Sequence, residues 1–235
     1  MAAIYLIRHG QASFGSENYD RLSELGQRQA KLTGEYLAST GVRFDAAYCG
    51  RLERQRHTGE LALAAQPEAV DLQVDARLDE VRNDEHLEFL LPKVLEQNPE
   101  LRAIVDAGLG SSKRFQKVID AVFNYWVSPE CDEPAIQSWE EYSSDVRGVL
   151  DDIIGAQGSG KTTAVFTSGG TIAVMVAAVL GLPGTKTYQL YEPVFNCSVT
   201  ELFYSRDRVS LSYFNDCSFL RQLSVQYGEK LVSYR

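Results

Sequence analysis

Short apolar segments alternate with longer amphipathic ones along this chain, and that alternation limits the fold more than any other feature. Short apolar runs bounded by Gly or by charged residues are typical of buried strands, and apolar positions spaced by three or four residues are typical of helices. The predicted strands are 3–7, 44–48, 162–167, 198–204 and 209–214, with an extended stretch at 73–79. The predicted helices are 22–40, 50–65, 138–154 and 171–180. This order predicts a three-layer α/β sandwich with a mostly parallel mixed sheet and an antiparallel hairpin at one edge.

Residues 84–135 depart from the alternation and predict a helical insertion. Two helical stretches, 86–97 and 114–126, lie on either side of a Gly/Ser turn at 108–112, and 128–134 has the composition of a linker. We therefore expect one domain over residues 1–235, with this segment as a helical cap insertion.

Composition excludes several classes of protein. The net charge of −9 argues against a general nucleic-acid or anionic-membrane surface. No apolar run approaches the ~18 residues that a membrane span needs, and the first strand soon meets Arg8, unlike a signal peptide. The four cysteines stand too far apart in sequence for a zinc site or a disulfide framework, which favours a reduced, cytoplasmic chain.

Two polar clusters follow predicted buried strands. Arg8, His9 and Gly10 end the first strand, and residues 167–170 (Thr-Ser-Gly-Gly) end the strand at 162–167. Ligands of open α/β sheets bind beyond the carboxyl ends of the strands, so both clusters are placed to meet one ligand. The Arg8 guanidinium favours the neutral, nucleophilic form of the His9 imidazole, and its geometry matches phosphate oxygens. A histidine that only hydrogen-bonds to a loop at the strand end would give the same pattern.

Four motifs in order resemble the histidine phosphatase (phosphoglycerate mutase-like) superfamily. The opening Arg-His-Gly is matched by residues 8–10, and the next helix carries a Leu-Ser-x-x-Gly-x-x-Gln-Ala pattern at 22–30. A Leu-x-Arg-x-x-x-Thr motif follows, with Arg54 as its arginine, and Arg-Leu-x-Glu ends at Glu80. The segment 215–220 (NDCSFL) resembles the closing Asn-Asp segment of the family. The resemblance spans nearly the whole chain apart from 84–135.

The resemblance implies a two-step phosphoryl transfer. His9 attacks phosphorus, Glu80 protonates the leaving oxygen and then helps water to hydrolyse the intermediate, and Arg8 and Arg54 hold the phosphoryl oxygens. Positioning and positive charge dominate such reactions, so no metal and no cofactor are expected. The expected partner is a small phosphorylated molecule, neither nucleic acid nor membrane, and the sequence leaves a homodimer open.

One position departs from the family. The family's second histidine usually precedes a Gly, whereas Ser168 and Gly169 stand there in this chain. A hydroxyl and the backbone amides at the start of a helix can still bind an anion. We expect phosphate binding to survive with slower turnover, and restoring a histidine at position 168 to raise turnover.

This substitution leaves the function open between two classes. The leading hypothesis is a phosphomonoester hydrolase, and the alternative is a weakened relative that binds a phosphorylated ligand as a regulatory or binding protein. A phosphoglycerate mutase is the less favoured hypothesis. Nothing in the sequence indicates a pocket that would retain a sugar-acid phosphate and bind it again.

Several other residues are candidates with competing interpretations. His57 and His86 are expected to be surface or helix-cap histidines, and Ser13 and Asn18 are candidates for contacting phosphate. The basic pair at 113–114 is either a lid over an anionic substrate or a solvated loop pair.

A nucleotide-binding expression also occurs. Residues 155–162 satisfy G-x-x-x-x-G-K-[ST], but a helix precedes the loop and a strand follows it, the reverse of the order that gathers amides around phosphate. We expect a chance match.

Overall fold

The computed structural model describes residues 2–13, 20–110, 112–205 and 208–234. Six strands form one sheet in the order β3-β2-β4-β1-β5-β6. The strands are β1 (Ala2–Arg8), β2 (Ala46–Cys49), β3 (Leu72–Val74), β4 (Thr162–Thr167), β5 (Val199–Ser205) and β6 (Arg208–Asp216). The first four are parallel to one another, and β5 runs antiparallel to both β1 and β6. The predicted mixed sheet with an edge hairpin is thus confirmed.

Helices cover both faces of the sheet and give the three layers. They are α1 (Glu24–Ser39), α2 (Glu53–Leu63), α3 (Asn83–Phe89), α4 (Leu91–Gln97), α5 (Pro99–Asp106), α6 (Ser112–Val127), α7 (Trp139–Gln157), α8 (Gly169–Val179), α9 (Thr187–Tyr191) and α10 (Ser218–Tyr227). One apolar cluster joins the sheet to α7, α8 and the helices of the 83–127 region. A second cluster joins the opposite face to α1, α2 and α10. Burial of these faces from water is the main force that holds the layers together.

Helix boundaries follow from local chemistry. The Ser23 side chain accepts a hydrogen bond from the amide of Gly26 at the start of α1. Ser138 and Glu141 form a reciprocal capping box at the start of α7, and Gly158 ends that helix with a φ of 68°. Such caps satisfy amides that have no partner within the helix.

The structure corrects the prediction at 73–79. Only Leu72–Val74 is a strand, and Ala76–Leu78 forms a 3₁₀ turn. The Asp75 side chain accepts from the amide of Arg77, which stabilises a turn in place of extended chain. This turn delivers the following residues, including Glu80, back toward the carboxyl ends of the strands.

Candidate active site

His9 lies just beyond β1 and is buried, with 4% of its surface exposed. Its backbone amide donates to the carbonyl of Thr167 on β4 at 2.9 Å, which joins the ends of the two strands. Its Nδ1 lies 2.8 Å from the carbonyl oxygen of Gly10. Because a carbonyl only accepts, Nδ1 carries the hydrogen and Nε2 keeps its lone pair. The imidazole therefore presents Nε2 as its nucleophilic atom.

Charge and burial both keep this imidazole neutral. Burial lowers the pKa of His9 well below its usual value, and the guanidiniums of Arg54 and Arg8 lower it further. Nε of Arg54 lies 3.2 Å from Nε2 of His9. A neutral imidazole beside two cations is ready to attack an electrophile that carries negative charge.

Arg54 is held on α2 with 8% of its surface exposed. The hydroxyl of Thr58 donates to the Arg54 carbonyl at 2.7 Å and accepts from the amide of Gly10 at 3.0 Å. Thr58 thereby joins α2 to the turn after His9, which explains the spacing of the Leu-x-Arg-x-x-x-Thr motif. The Arg54 guanidinium also forms an ion pair with Asp20 at 2.6 Å.

Arg8 reaches the site from the last residue of β1. Its guanidinium donates to the carbonyl oxygens of Val194 and Tyr234. Asn215 supports that segment, because its side chain donates to the carbonyl of Pro193 at 2.7 Å and accepts from the amide of Phe195 at 2.8 Å. The motif at 215–220 therefore acts through the segment that positions Arg8.

Glu80 follows the 3₁₀ turn and lies near the same two arginines. Its Oε1 accepts from its neighbour's amide, that of Val81, at 2.9 Å and from the amide of Gly170 at 3.0 Å. Burial raises the pKa of Glu80, and the charges of Arg54 and Arg8 oppose that rise. The net direction is upward, so this carboxyl holds its proton at higher pH than an ordinary glutamate. A raised pKa suits a general acid.

Ser168 and Gly169 begin α8 beside these groups. Ser168 is fully buried, and its Oγ accepts from Nε2 of Gln55 at 2.8 Å. Gly169 lies beneath the ring of Tyr191, where an added Cβ would be 3.2 Å from the ring and 3.7 Å from Nε of Arg8. We expected the amides at this helix start to be available to an anion. The amide of Gly170 is instead bound by Glu80.

A polar network beneath the site involves residues that the sequence analysis missed. Asn196 donates to the carbonyl of His9 at 3.1 Å and accepts from Ser233. Gln29 donates to Ser233 at 2.9 Å and accepts from the amide of Gln11 at 2.9 Å. The Gln-Ala motif of α1 marked Gln29, but no local pattern marked its partners near the carboxyl-terminal end.

The other candidate residues take varied positions. His86 corrects the prediction of a surface or helix-cap histidine, because it is buried with its ring centroid 4.2 Å from that of Trp126. His57 lies half-buried on α2. The Ser13 amide donates to the Arg21 carbonyl, and Asn18 lies outside the described residues.

The basic pair of the insertion is exposed. Arg114 donates to the carbonyls of Ala107 and Gly108, and Lys113 begins the exposed face of α6. Another α6 residue, Gln116, reaches toward the site, because it donates to the hydroxyl of Tyr234 at 3.0 Å.

The loop at 155–162 lies at the opposite end of β4 from the site. Lys161 forms an ion pair with Asp45 at 2.7 Å, and the same carboxylate accepts from the amide of Thr162. Lys161 therefore makes a structural contact at the start of β4. This contact supports the interpretation that the nucleotide-binding expression is a chance match.

The described residues contain no group of three or more His, Cys, Asp or Glu side chains that could hold a metal ion. The four cysteines, all within the described part of the chain, form no disulfide. Among the described helices, none is long and apolar enough to cross a membrane.

Comparison with known proteins establishes the family. A model of the histidine phosphatase superfamily (branch 1) matches residues 4–217, and the chain belongs to this superfamily. A phosphoglycerate mutase from Candida albicans is 37% identical over 71 residues, which are 28% of this chain and 29% of that protein. A 2,3-bisphosphoglycerate-dependent phosphoglycerate mutase from Rhizobium etli is 38% identical over 66 residues, 26% of this chain and 31% of that protein. The matched stretches span less than a third of these relatives.

Solved structures share the fold over a greater length. A phosphoglycerate mutase from Bacillus anthracis superposes with a TM-score of 0.65 at 20% identity, covering 93% of this chain and 94% of that one. A mutant phosphoserine phosphatase from Entamoeba histolytica, in complex with phosphoserine, gives 0.65 at 16% identity, covering 94% and 100%. A mycobacterial glucosyl-3-phosphoglycerate phosphatase gives 0.60 at 19% identity, covering 91% and 98%.

Proposed function

We propose that this protein hydrolyses a phosphomonoester of a small molecule through a phosphohistidine at His9. The observation that carries the proposal is the pairing of Nε2 of His9 with Nε of Arg54 at 3.2 Å, while Nδ1 is held by Gly10. In this pairing the Nε2 lone pair accepts from Nε of Arg54, so the nucleophilic atom lies directly beside a guanidinium that can attract a phosphoryl group.

The reaction proceeds in two balanced steps. Nε2 of His9 bonds to phosphorus as the bond to the leaving oxygen breaks, and protonated Glu80 gives its proton to that oxygen. Water then attacks phosphorus, Glu80 takes a proton from the water, and the phosphorus–nitrogen bond breaks to release phosphate. Arg8 and Arg54 balance the charge of the phosphoryl oxygens, and Ser168 and the amide of Gly169 add donors.

Similar proteins include both phosphatases and mutases, and we propose that this chain transfers the phosphoryl group to water. Glu80 is bound by backbone amides rather than by a second basic group, and Asp20 adds a carboxylate beside Arg54. The Asp20 carboxylate disfavours retention of an acidic phosphorylated product beside Arg54, which a mutase requires.

The test is hydrolysis of a generic aryl phosphate by the wild type and by His9→Ala, without added phosphorylated acid. A large His9-dependent rate supports the hydrolase. Equal background rates with tight phosphate binding support the second candidate, a weakened relative that binds a phosphorylated ligand. The buried Ser168 hydroxyl is the observation that favours this second candidate.

A further inference from the structure

Gln55 and Ser168 form a buried pair next to the reactive histidine. Both side chains are fully buried, and Nε2 of Gln55 donates to Oγ of Ser168 at 2.8 Å. The same nitrogen donates to the carbonyl oxygen of Leu78 at 3.0 Å. A carboxamide nitrogen has two hydrogens, and each of them is used here.

The carbonyl of Leu78 fixes which way the carboxamide faces. A flipped Gln55 would place its Oε1 against that carbonyl, and two acceptors would then oppose each other without a hydrogen between them. The nitrogen must therefore face Leu78 and Ser168. As a result, Oγ of Ser168 accepts from Gln55, and its single hydrogen is left for another acceptor. Within the described part of the chain, no group accepts it.

The hydroxyl belongs to the end of the sheet that also holds His9 and Arg8. Ser168 directly follows Thr167, whose carbonyl accepts from the amide of His9 at 2.9 Å. The next residue, Gly169, lies close to Nε of Arg8, an atom with no hydrogen-bond partner among the described residues. A donor hydroxyl and a donor guanidinium nitrogen thus share the end of β4 and β1.

We infer that Gln55 is a positioning residue that keeps the Ser168 hydroxyl as a hydrogen-bond donor toward the transferring phosphoryl group. This inference rests on the proposed function, in which the Ser168 hydroxyl is one of the donors to phosphate, and Gln55 is the residue that orients it. Gln55 is not placed to contact substrate, since its Nε2 is used by two protein groups and its buried Oε1 faces Gly50, whose added Cβ would lie 2.0 Å from it. That a histidine at position 168 raises turnover stays a prediction, and such a histidine would take the place of the hydroxyl that Gln55 contacts.

A double-mutant cycle tests this coupling. Gln55→Met keeps an unbranched side chain of similar length and removes the donor. In this variant the Leu78 carbonyl still has a hydrogen-bond donor, because the hydroxyl of Thr167 lies 2.6 Å from it. Arg56→Met, on the exposed face of the same helix, is the matched control.

We expect Ser168→Ala to lower kcat/KM by about 10²-fold, the usual loss for one preorganised donor. Gln55→Met is expected to lower it about tenfold in the wild type and to have no further effect in the Ser168→Ala background. An equal loss in both backgrounds, or no loss in the wild type, overturns the inference. Arg56→Met should match the wild type.

A second measurement needs no variant at Gln55. Inorganic phosphate should shift the side-chain NH₂ resonances of Gln55 in the wild type but not in Ser168→Ala, and unchanged resonances at saturating phosphate overturn the inference. The same cycle measured as phosphate affinity separates the two claims. Absence of His9-dependent turnover overturns the phosphatase alone, whereas additive losses of affinity overturn the role of Gln55 alone.

Discussion

The amide of Gly170 donates to Oε1 of Glu80 at 3.0 Å, and a Cβ at Gly170 would lie 2.4 Å from that same oxygen. Real Cβ atoms essentially never approach an atom so closely. The second glycine of the Gly-Gly pair therefore makes room for the acid beside the start of α8. The added Cβ would also lie 2.7 Å from a side-chain methyl of Val81, so both residues of the Glu80-Val81 pair would have to move.

Gly170→Ala is accordingly expected to displace Glu80 and to lower kcat at least tenfold, with phosphate affinity much less affected. Gly155→Ala is the matched control, because it lies in α7 and nothing stands within 4 Å of its added Cβ. That control should keep full activity and gain up to about 1 kcal/mol of stability, the usual difference between Ala and Gly in a helix. Steady-state kinetics and thermal unfolding check both variants. Unchanged kcat in Gly170→Ala would contradict the proposed placement of Glu80.

The pH profile of kcat/KM should reflect opposite shifts of the two reacting groups. Attack requires neutral His9, and leaving-group protonation requires protonated Glu80. Because the pKa of His9 is lowered and that of Glu80 is raised, activity should fall at acid pH only far below the usual imidazole range. It should fall on the alkaline side as pH rises through the raised pKa of Glu80. Glu80→Gln should lower the rate and remove the Glu80 contribution to the alkaline limb, measured with a substrate that is fully ionised across the range.

The ion pair of Asp20 with Arg54 predicts that Asp20 competes with phosphate for this guanidinium. Its carboxylate lies 2.6 Å from the guanidinium and also accepts from the amide of Glu53 at 2.7 Å, a bond that an asparagine oxygen retains. Asp20→Asn should therefore tighten inorganic phosphate binding several-fold by removing a competing negative charge. Asp45→Asn, which weakens the remote ion pair with Lys161, is the control and should leave phosphate affinity unchanged. Isothermal titration checks both, and weaker binding in Asp20→Asn would show that the carboxylate supports the arginine instead.

The burial of His86 predicts that the folded protein loses stability in mild acid. Burial lowers its pKa from 6.5 to about 4. Between these values the unfolded chain binds a proton that the folded chain does not, so the free energy of unfolding falls as pH drops from 6.5 and stops falling from this cause below 4. The full contribution is about 3 kcal/mol, at 1.36 kcal/mol per pKa unit. His86→Leu should flatten this part of the pH–stability curve in urea unfolding, and an unchanged slope would contradict the assignment.

The pattern of apolar residues was enough to predict those elements that the structure buries as the pattern implies. Residues 162–167 form β4 with the predicted bounds, because an apolar strand buried on both faces leaves little alternative. The short helix α9 and the carboxyl-terminal helix α10 were missed, since α9 has only five residues and the start of α10 at Cys217 has no side-chain cap, although Gly228 ends it. The 3₁₀ turn after β3 depends on the Asp75 side chain, which accepts from both the amide and the guanidinium of Arg77.

The motif residues of the site were predictable, but their supports were not. Arg8, His9, Arg54 and Glu80 meet as their order along the chain suggested. Gln55 lies directly after Arg54, yet only the packing of α2 against the end of β4 reveals that it binds Ser168. Burial of His86 depends likewise on a tertiary contact with Trp126, for which no local signal exists.

Rapid-quench detection of a covalent phosphoenzyme tests the central claim most directly. On mixing with an aryl phosphate, the wild type should form an acid-labile, base-stable phosphoryl adduct that peptide mapping places on His9. The adduct should be absent in His9→Ala and should accumulate when breakdown is slowed in Glu80→Gln. Steady turnover with no adduct on His9, or an equal adduct in His9→Ala, would contradict the account.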